Sequence, residues 1–252
     1  MLFRLENIEG AKVHATDGSI GKVRTFLFDD EKWVVRYVVT KHGFWVFGND
    51  VLISPLSVDG TVDEGQAIRV KLTKDQIKNA PTADHRKPIS RRKEEEFYRY
   101  HQLPIYWGGA GLWGTAMTPM EAGTVTYKPS AYMDEESSVE NEDYHIRSTQ
   151  EVIGYDVQAA GEKVGKVGGF VIEGSNWAVR YIRIEAKDTI GGGNLYVSPH
   201  WVDDISWIEA DLKLDIGADR LMDVPVVGTT GSITREEEEK LHDFFQQPRY
   251  WK

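Results

Sequence analysis

An internal duplication constrains this chain more than any other feature. Gly10 is matched by Gly154, and an offset of 144 residues then holds without a gap to the C-terminus. Gly21-Lys22-Val23 returns as Gly165-Lys166-Val167, followed in both copies by a phenylalanine, Phe26 and Phe170. Trp33-Val34-Val35-Arg36-Tyr37 returns as Trp177-Ala178-Val179-Arg180-Tyr181, and Ser54-Pro55 returns as Ser198-Pro199. Residues 10–59 and 154–203 share 16 identities in 50 aligned pairs, where chance at average composition gives about three. The register runs on into a tail, where Arg91, Glu94, Gln102, Tyr106 and Trp107 recur as Arg235, Glu238, Gln246, Tyr250 and Trp251. Two copies of one fold of roughly 105 residues, a common domain size, follow.

The copies are set at 1–107 and 147–252. Between them, residues 108–146 read as an inter-domain linker. Gly108 to Gly114 is glycine-rich, and Asp134 to Asp143 holds six acidic residues and no basic one. Such a segment repels itself and carries no periodic pattern, so it is expected to be flexible.

Within each copy, short strands alternate with turn residues. Asp17-Gly18 sits between Val13-His14-Ala15 and the run Gly21 to Phe28, a strong hairpin signal. Asp29-Asp30-Glu31-Lys32 turns the chain into Trp33 to Thr40, and Gly174-Ser175-Asn176 does the same before Trp177 to Ile184. Alternation places Trp33, Val35 and Tyr37 on one face and Val34, Arg36 and Val38 on the other. Both faces are largely apolar, as in a small closed sheet packed against something outside it. Further strands surround Val51-Leu52-Ile53 and Ala67 to Val70. A helix closes each copy. Thr234-Arg235-Glu236-Glu237 offers a capping box, with Leu241, Phe244 and Phe245 as the apolar face, and Ser90 is the matching cap in the first copy. The expected fold is mainly β, two small antiparallel barrels, each followed by a C-terminal helix.

These residues resemble the PRC-barrel family. The pattern is Gly21-Lys22-Val23, an acidic turn at Asp29-Asp30, Trp33 to Tyr37 and Ile53-Ser54-Pro55, repeated as Gly165-Lys166-Val167, Trp177 to Tyr181 and Val197-Ser198-Pro199. The resemblance covers about residues 5–82 and 149–226. The family is named for the cytoplasmic domain of the photosynthetic reaction-centre H subunit, and the same barrel occurs in a ribosome-maturation factor. It implies a compact antiparallel barrel that acts through protein contacts, in reaction centres as a cap that influences quinone-linked proton uptake. This chain lacks the H subunit's membrane helix, and no proton-uptake carboxylate is carried over.

Residue chemistry argues against catalysis. No cysteine is present, which removes thiolate ligands and nucleophiles. None of the seven histidines, His14, His42, His85, His101, His145, His200 and His242, recurs at its counterpart or shows metal-ligand spacing. Acidic pairs at Asp29-Asp30, Asp63-Glu64 and Asp203-Asp204 lack calcium-loop alternation and read as solvated turn carboxylates. Gly191-Gly192-Gly193-Asn194 leads into a strand rather than a helix N-terminus, so it is no phosphate cradle. Ser54 and Ser198 precede prolines and serve turn geometry. Arg36 and Arg180, mid-strand among apolar neighbours, require a partner. That partner is either an internal carboxylate, such as Glu94 or Glu238 on the docked helix, or a bound anion. Tyr106, Trp107, Trp113, Tyr250 and Trp251 are the candidate interface residues; they either fold back on their own barrel or anchor a partner.

Acidic residues outnumber basic ones, 40 to 30, for a net charge of −10, which disfavours nucleic acid. No apolar run reaches the ~18 residues of a spanning helix, and the start lacks a secretion signal. The expectation is a non-enzymatic adaptor or scaffold without cofactor or metal, cytoplasmic or membrane-peripheral, working on a protein partner beside a membrane complex, with a homodimer allowed. The alternative is a small-ligand or ion sensor using the groove between the two barrels.

Overall fold

The computed structural model describes residues 1–42, 50–62, 65, 67–124, 144–187, 193–221, 223–228 and 232–251. The chain is mainly β, with two many-stranded sheets. Strand β1 (Leu2–Arg4) opens it. The first sheet contains β2 (Lys12–Ala15), β3 (Gly18–Asp29), β4 (Val34–His42), β5 (Val51–Ile53) and β6 (Ile68–Arg69) in the order β5-β4-β3-β2-β6. Helices α1 (Lys74–Lys78), α2 (Arg91–His101) and α3 (Pro119–Ala122) follow, and β7 (Ile146–Ser148) adds to β3. After α4 (Thr149–Val152), the second sheet is built from β8 (Asp156–Ala159), β9 (Glu162–Glu173), β10 (Val179–Ala186), β11 (Asn194–Val197), β12 (Val202–Ser206) and β13 (Asp211–Leu214). Its order is β11-β10-β9-β8-β13-β12. Helices α5 (Ala218–Leu221) and α6 (Arg235–Phe245) end the chain.

The duplication holds in local backbone. Thr16-Asp17 turn the β2–β3 hairpin, with Gly18 already paired to Ala15, and Trp33 and Trp177 both take left-handed φ, 54° and 63°, at the tips of the long hairpins. Gln102 and Gln246 do the same at 54° and 56° where α2 and α6 stop. Ser54 and Ser198 cap equivalent 3-10 turns, each hydroxyl accepting the backbone N–H two residues on, with proline at the first helical position. Proline's fixed φ suits that position and the serine satisfies an orphan donor. In the second sheet this turn, Pro199–Trp201, joins β11 to β12, the two ends of the strand order. In the first, Pro55–Ser57 leads from β5 to Val58, which bridges Val70 beside β6. The covalent chain thus links the ends of each sheet. Both faces of β4 are buried, as its apolar pattern requires: Val34, Val35, Tyr37, Val38 and Val39 are all inaccessible.

The compact units and the sequence copies divide the chain differently. The compact units are not the contiguous copies 1–107 and 147–252. One, the amino unit, comprises residues 8–151 with 174–178; the other, the carboxyl unit, comprises 1–7, 152–173 and 179–252. β1 pairs with β9 and β7 with β3, so the repeat-equivalent first strands are exchanged. An exposed sheet edge offers unpaired N–H and C=O groups to any strand of suitable pattern, and the two copies present equivalent edges.

The segment 108–146, expected as a flexible linker, is described in part. Its glycine-rich start is a packed loop rather than a free linker. Lys32 Nζ donates to the Gly109 and Gly111 carbonyls, both at 3.1 Å, and Trp113 is 2% exposed with its indole N–H on the Asn176 carbonyl at 2.8 Å. The glycines serve close approach: a Cβ at Gly111 would run into the Ala116 carbonyl. The acidic stretch 134–143 lies outside the described residues. At the helices, the Thr234 capping box is present, whereas Ser90 stands at the N-cap of α2 without a side-chain cap bond.

Candidate functional site

The densest polar cluster lies where α2 meets the first sheet. Arg36 projects from β4 and is inaccessible. Its Nη2 and Nε donate to Asp29 Oδ2 at 2.9 and 3.2 Å, and its Nη1 donates to the Leu112 carbonyl at 2.6 Å. The guanidinium lies 3.6 Å from the Tyr106 ring centroid and 4.8 Å from that of Trp113. Flat guanidinium groups stack on aromatic faces while keeping their in-plane donors free, which explains how this arginine is tolerated in a core.

Glu94 of α2 sits beside it, 1% exposed. It accepts hydrogen bonds from Tyr37 Oη at 3.0 Å, Tyr106 Oη at 2.8 Å and Arg91 Nη1 at 2.7 Å. Burial pushes its carboxyl up to about 7; Arg91 and the two phenols offset this only in part. Burial and the adjacent carboxyl raise the Tyr37 and Tyr106 phenols well above their ordinary range.

The carboxyl unit repeats the arginine, its acidic partner, the two tyrosines and the helix glutamate, while Leu112 and Trp113 have no counterpart at the repeat offset. Arg180 donates to Glu173 Oε2 at 2.6 and 2.9 Å and lies 3.8 Å from the Tyr250 ring centroid. Glu238 of α6 accepts from Tyr181 at 3.1 Å, Tyr250 at 2.6 Å and Arg235 at 2.9 Å. Burial raises its carboxyl too. Where the first copy has Tyr98, the second has His242, whose ring nitrogens meet the Pro248 carbonyl at 2.9 Å and Tyr181 Oη at 3.1 Å. Chemically, each cluster is a clamp. Its charge pairs lie within the hairpin and within the helix, and the strand tyrosine, Tyr37 or Tyr181, fastens helix to sheet through the helix glutamate.

The structure gives each sequence candidate a position. Arg36 and Arg180 do have internal carboxylates, but these are Asp29 and Glu173 across the hairpin, not Glu94 and Glu238 on the helix; the strand register brings positions seven apart together. Tyr106 and Trp113, read as either folding back on their own barrel or anchoring a partner, are 1% and 2% exposed and lie in the core. Trp107 and Tyr250–Trp251 are half-buried, with Trp107 4.5 Å from Arg91 and Trp251 4.2 Å from Arg235. The aromatic ends fold back on their own helices.

Asp29-Asp30, read as solvated turn carboxylates, are instead largely buried and paired, Asp29 at 3% exposure with Arg36. Asp30 lies near Arg147 and His145, and burial lifts its carboxyl to about 6. Asp204 pairs with Lys213 at 3.2 Å. Asp63-Glu64 and Gly191-Gly192 lie outside the described residues, and Asn194 begins β11. A cavity of about 430 Å³ in the amino unit is lined by Arg24, Asp50, Asp84, His85 and Arg86. Arg24 and His85 both pair with Asp50, and Arg86 with Asp84, so these side chains also satisfy one another.

One surface was missed. The β12–β13 hairpin carries Trp207-Ile208 at its tip, with Ile208 97% exposed and Trp207 edge-on to Tyr155 at 6.2 Å. Ile153, on the segment leading into β8, is 43% exposed. At the corresponding positions the first copy has Asp63, Glu64 and Glu9. The signal was available as a departure from the duplication, three acidic residues replaced by Trp and Ile.

Residues 1–77 match the family model of the PRC-barrel domain. The resemblance carried by Gly21-Lys22-Val23, Trp33 to Tyr37 and Ile53-Ser54-Pro55 is therefore shown over residues 1–77. No curated protein matches the chain. The PRC-barrel is a general fold often used in protein–protein interactions. No described helix is long and apolar enough to cross a membrane.

Proposed function

We propose that this chain is a non-enzymatic adaptor built from two PRC-type barrels, and that it holds a protein partner through the β12–β13 tip. The observation that carries this reading is Ile208, almost fully exposed beside Trp207 on a hairpin whose counterpart sequence is acidic. A large apolar side chain held at a turn costs solubility, and tryptophan is the residue most enriched at binding hot spots. Asp203, Asp204 and Glu209 flank the tip and are exposed, so the fitting partner presents an apolar pocket with a basic rim. The duplicated clusters support the same reading from the other side, because their arginines and glutamates already have partners inside the fold. By family resemblance the partner is a membrane-associated complex met from the cytoplasmic side.

The test is a photo-crosslinking residue at position 208 of the full chain, expressed in the native host and read by mass spectrometry. The reading expects one dominant partner whose crosslinked segment is basic and apolar, lost in a chain carrying Asp203→Lys and Glu209→Lys. Crosslinks scattered over abundant proteins, or capture indifferent to both charge reversals, would sink it. Crosslinking to a second copy would replace it with self-association.

A further inference from the structure

The exchanged first strands are fitted to the copy that receives them. β1 of the first copy lies along β9, pairing Leu2, Phe3 and Arg4 with Glu173, Ile172 and Val171. β7 of the second lies along β3, pairing Ile146, Arg147 and Ser148 with Asp29, Phe28 and Leu27. Main-chain pairing alone does not choose between copies, since either edge would accept either strand. The side chains do choose. Arg4 Nη2 donates to Tyr196 Oη at 2.6 Å; the counterpart of Tyr196 in Arg4's own copy is Leu52. Glu6 pairs with Arg183 at 3.2 Å; its own copy offers Val39 there. Arg147 donates to Asp30 at 3.4 Å, where its own copy has Gly174. Thr149 Oγ1 lies 3.1 Å from Thr25 Oγ1, where its own copy has Gly169. All four partners exist only in the receiving copy.

We infer that the two sequence halves, 1–124 and 144–252, are specific partners for one another, each supplying the strand that completes the other's sheet. The exchange is a domain swap between repeats of one chain. Two swapped strands also bury Phe3 and Ile146 completely, so the association does not depend on the intervening peptide being intact.

A protease recognition sequence placed between Ser138 and Val139 of the full chain tests this, with the cut verified on a denaturing gel. The cut protein is expected to elute from native size exclusion at the mass of the intact chain. Halves that separate, or that sort into homodimers, overturn the inference. In the same cut chain, Phe3→Asp with Ile146→Asp should release the halves; retention would show that something other than the strands holds them. A second measurement addresses the pairing directly in the uncut chain, which has no native cysteine. Phe3→Cys with Ile172→Cys should form a disulfide within one chain, whereas Phe3→Cys with Phe28→Cys, the unexchanged register, should not. The reverse result overturns the exchange while leaving the proposal for the Ile208 surface untouched.

Discussion

Arg36 and Asp29 face each other across the hairpin between β3 and β4, joined at 2.9 Å with both side chains at most 4% exposed. Arg180 and Glu173 repeat the pair at 2.6 Å, but with 15% and 22% of their side chains exposed. The same interaction therefore operates in two environments within one molecule. Removing one member of a buried pair leaves an uncompensated charge, at a typical cost of about 3–5 kcal/mol. Arg36→Met should destabilise the amino unit by an amount in that range. Arg180→Met should cost less, because water can reach Glu173. Urea unfolding of both variants checks the ranking, and equal losses would argue that the solvent access of Arg180 and Glu173 does not relieve the unpaired charge.

Glu94 gives the amino unit a pH dependence of predictable sign. Its carboxyl is raised from its ordinary value near 4.5 to about 7, so the folded state prefers the neutral acid. The folded protein then binds more protons than the unfolded chain between those values, and stability falls as pH rises through this window. Asp30, raised to about 6, acts in the same direction; His101, lowered to about 4 by burial, acts in the opposite one. Glu94→Gln isolates the carboxyl. The variant should resemble the parent near pH 4.5 and gain on it by about 3 kcal/mol by pH 8. Melting curves that keep a constant gap across that range would refute the protonation account.

The loop that begins at Gly108 depends on backbone closeness. A Cβ at Gly111 would meet the Ala116 and Gly114 carbonyls. Gly111→Ala should therefore cost about 1–3 kcal/mol, as overpacking usually does. It should also expose the Trp113 indole, visible as a red shift in tryptophan emission. Unchanged stability and emission would mean that the loop can shift as a body.

Ile208 offers the contrasting case. Its side chain is 97% exposed, so Ile208→Glu removes almost no packing. Stability should stay within about 0.5 kcal/mol of the parent, as for most surface changes. A larger loss would place the residue in the fold rather than in recognition.

Much of the architecture was legible because it is local. The hairpin at Asp17-Gly18, the serine-capped turns at Pro55 and Pro199 and the capping box at Thr234 depend on residues a few positions apart. The clamps were half legible. Position 29 and position 173 are both acidic opposite Arg36 and Arg180, a pairing that strand register brings together, yet the helix glutamates were the expected partners. The burial of Trp113 was not legible: nothing in a glycine-rich run announces that its carbonyls will accept from Lys32 and Arg36.

The sequence by itself determined that one β pattern occurs twice, where its central strands and closing helices fall, and that Arg36 and Arg180 must be paired. Only the tertiary structure decided which copy completes which sheet. Backbone ladders look alike from either edge, so the choice rests on side-chain matches such as Arg4 with Tyr196 and Arg147 with Asp30, between residues more than a hundred positions apart.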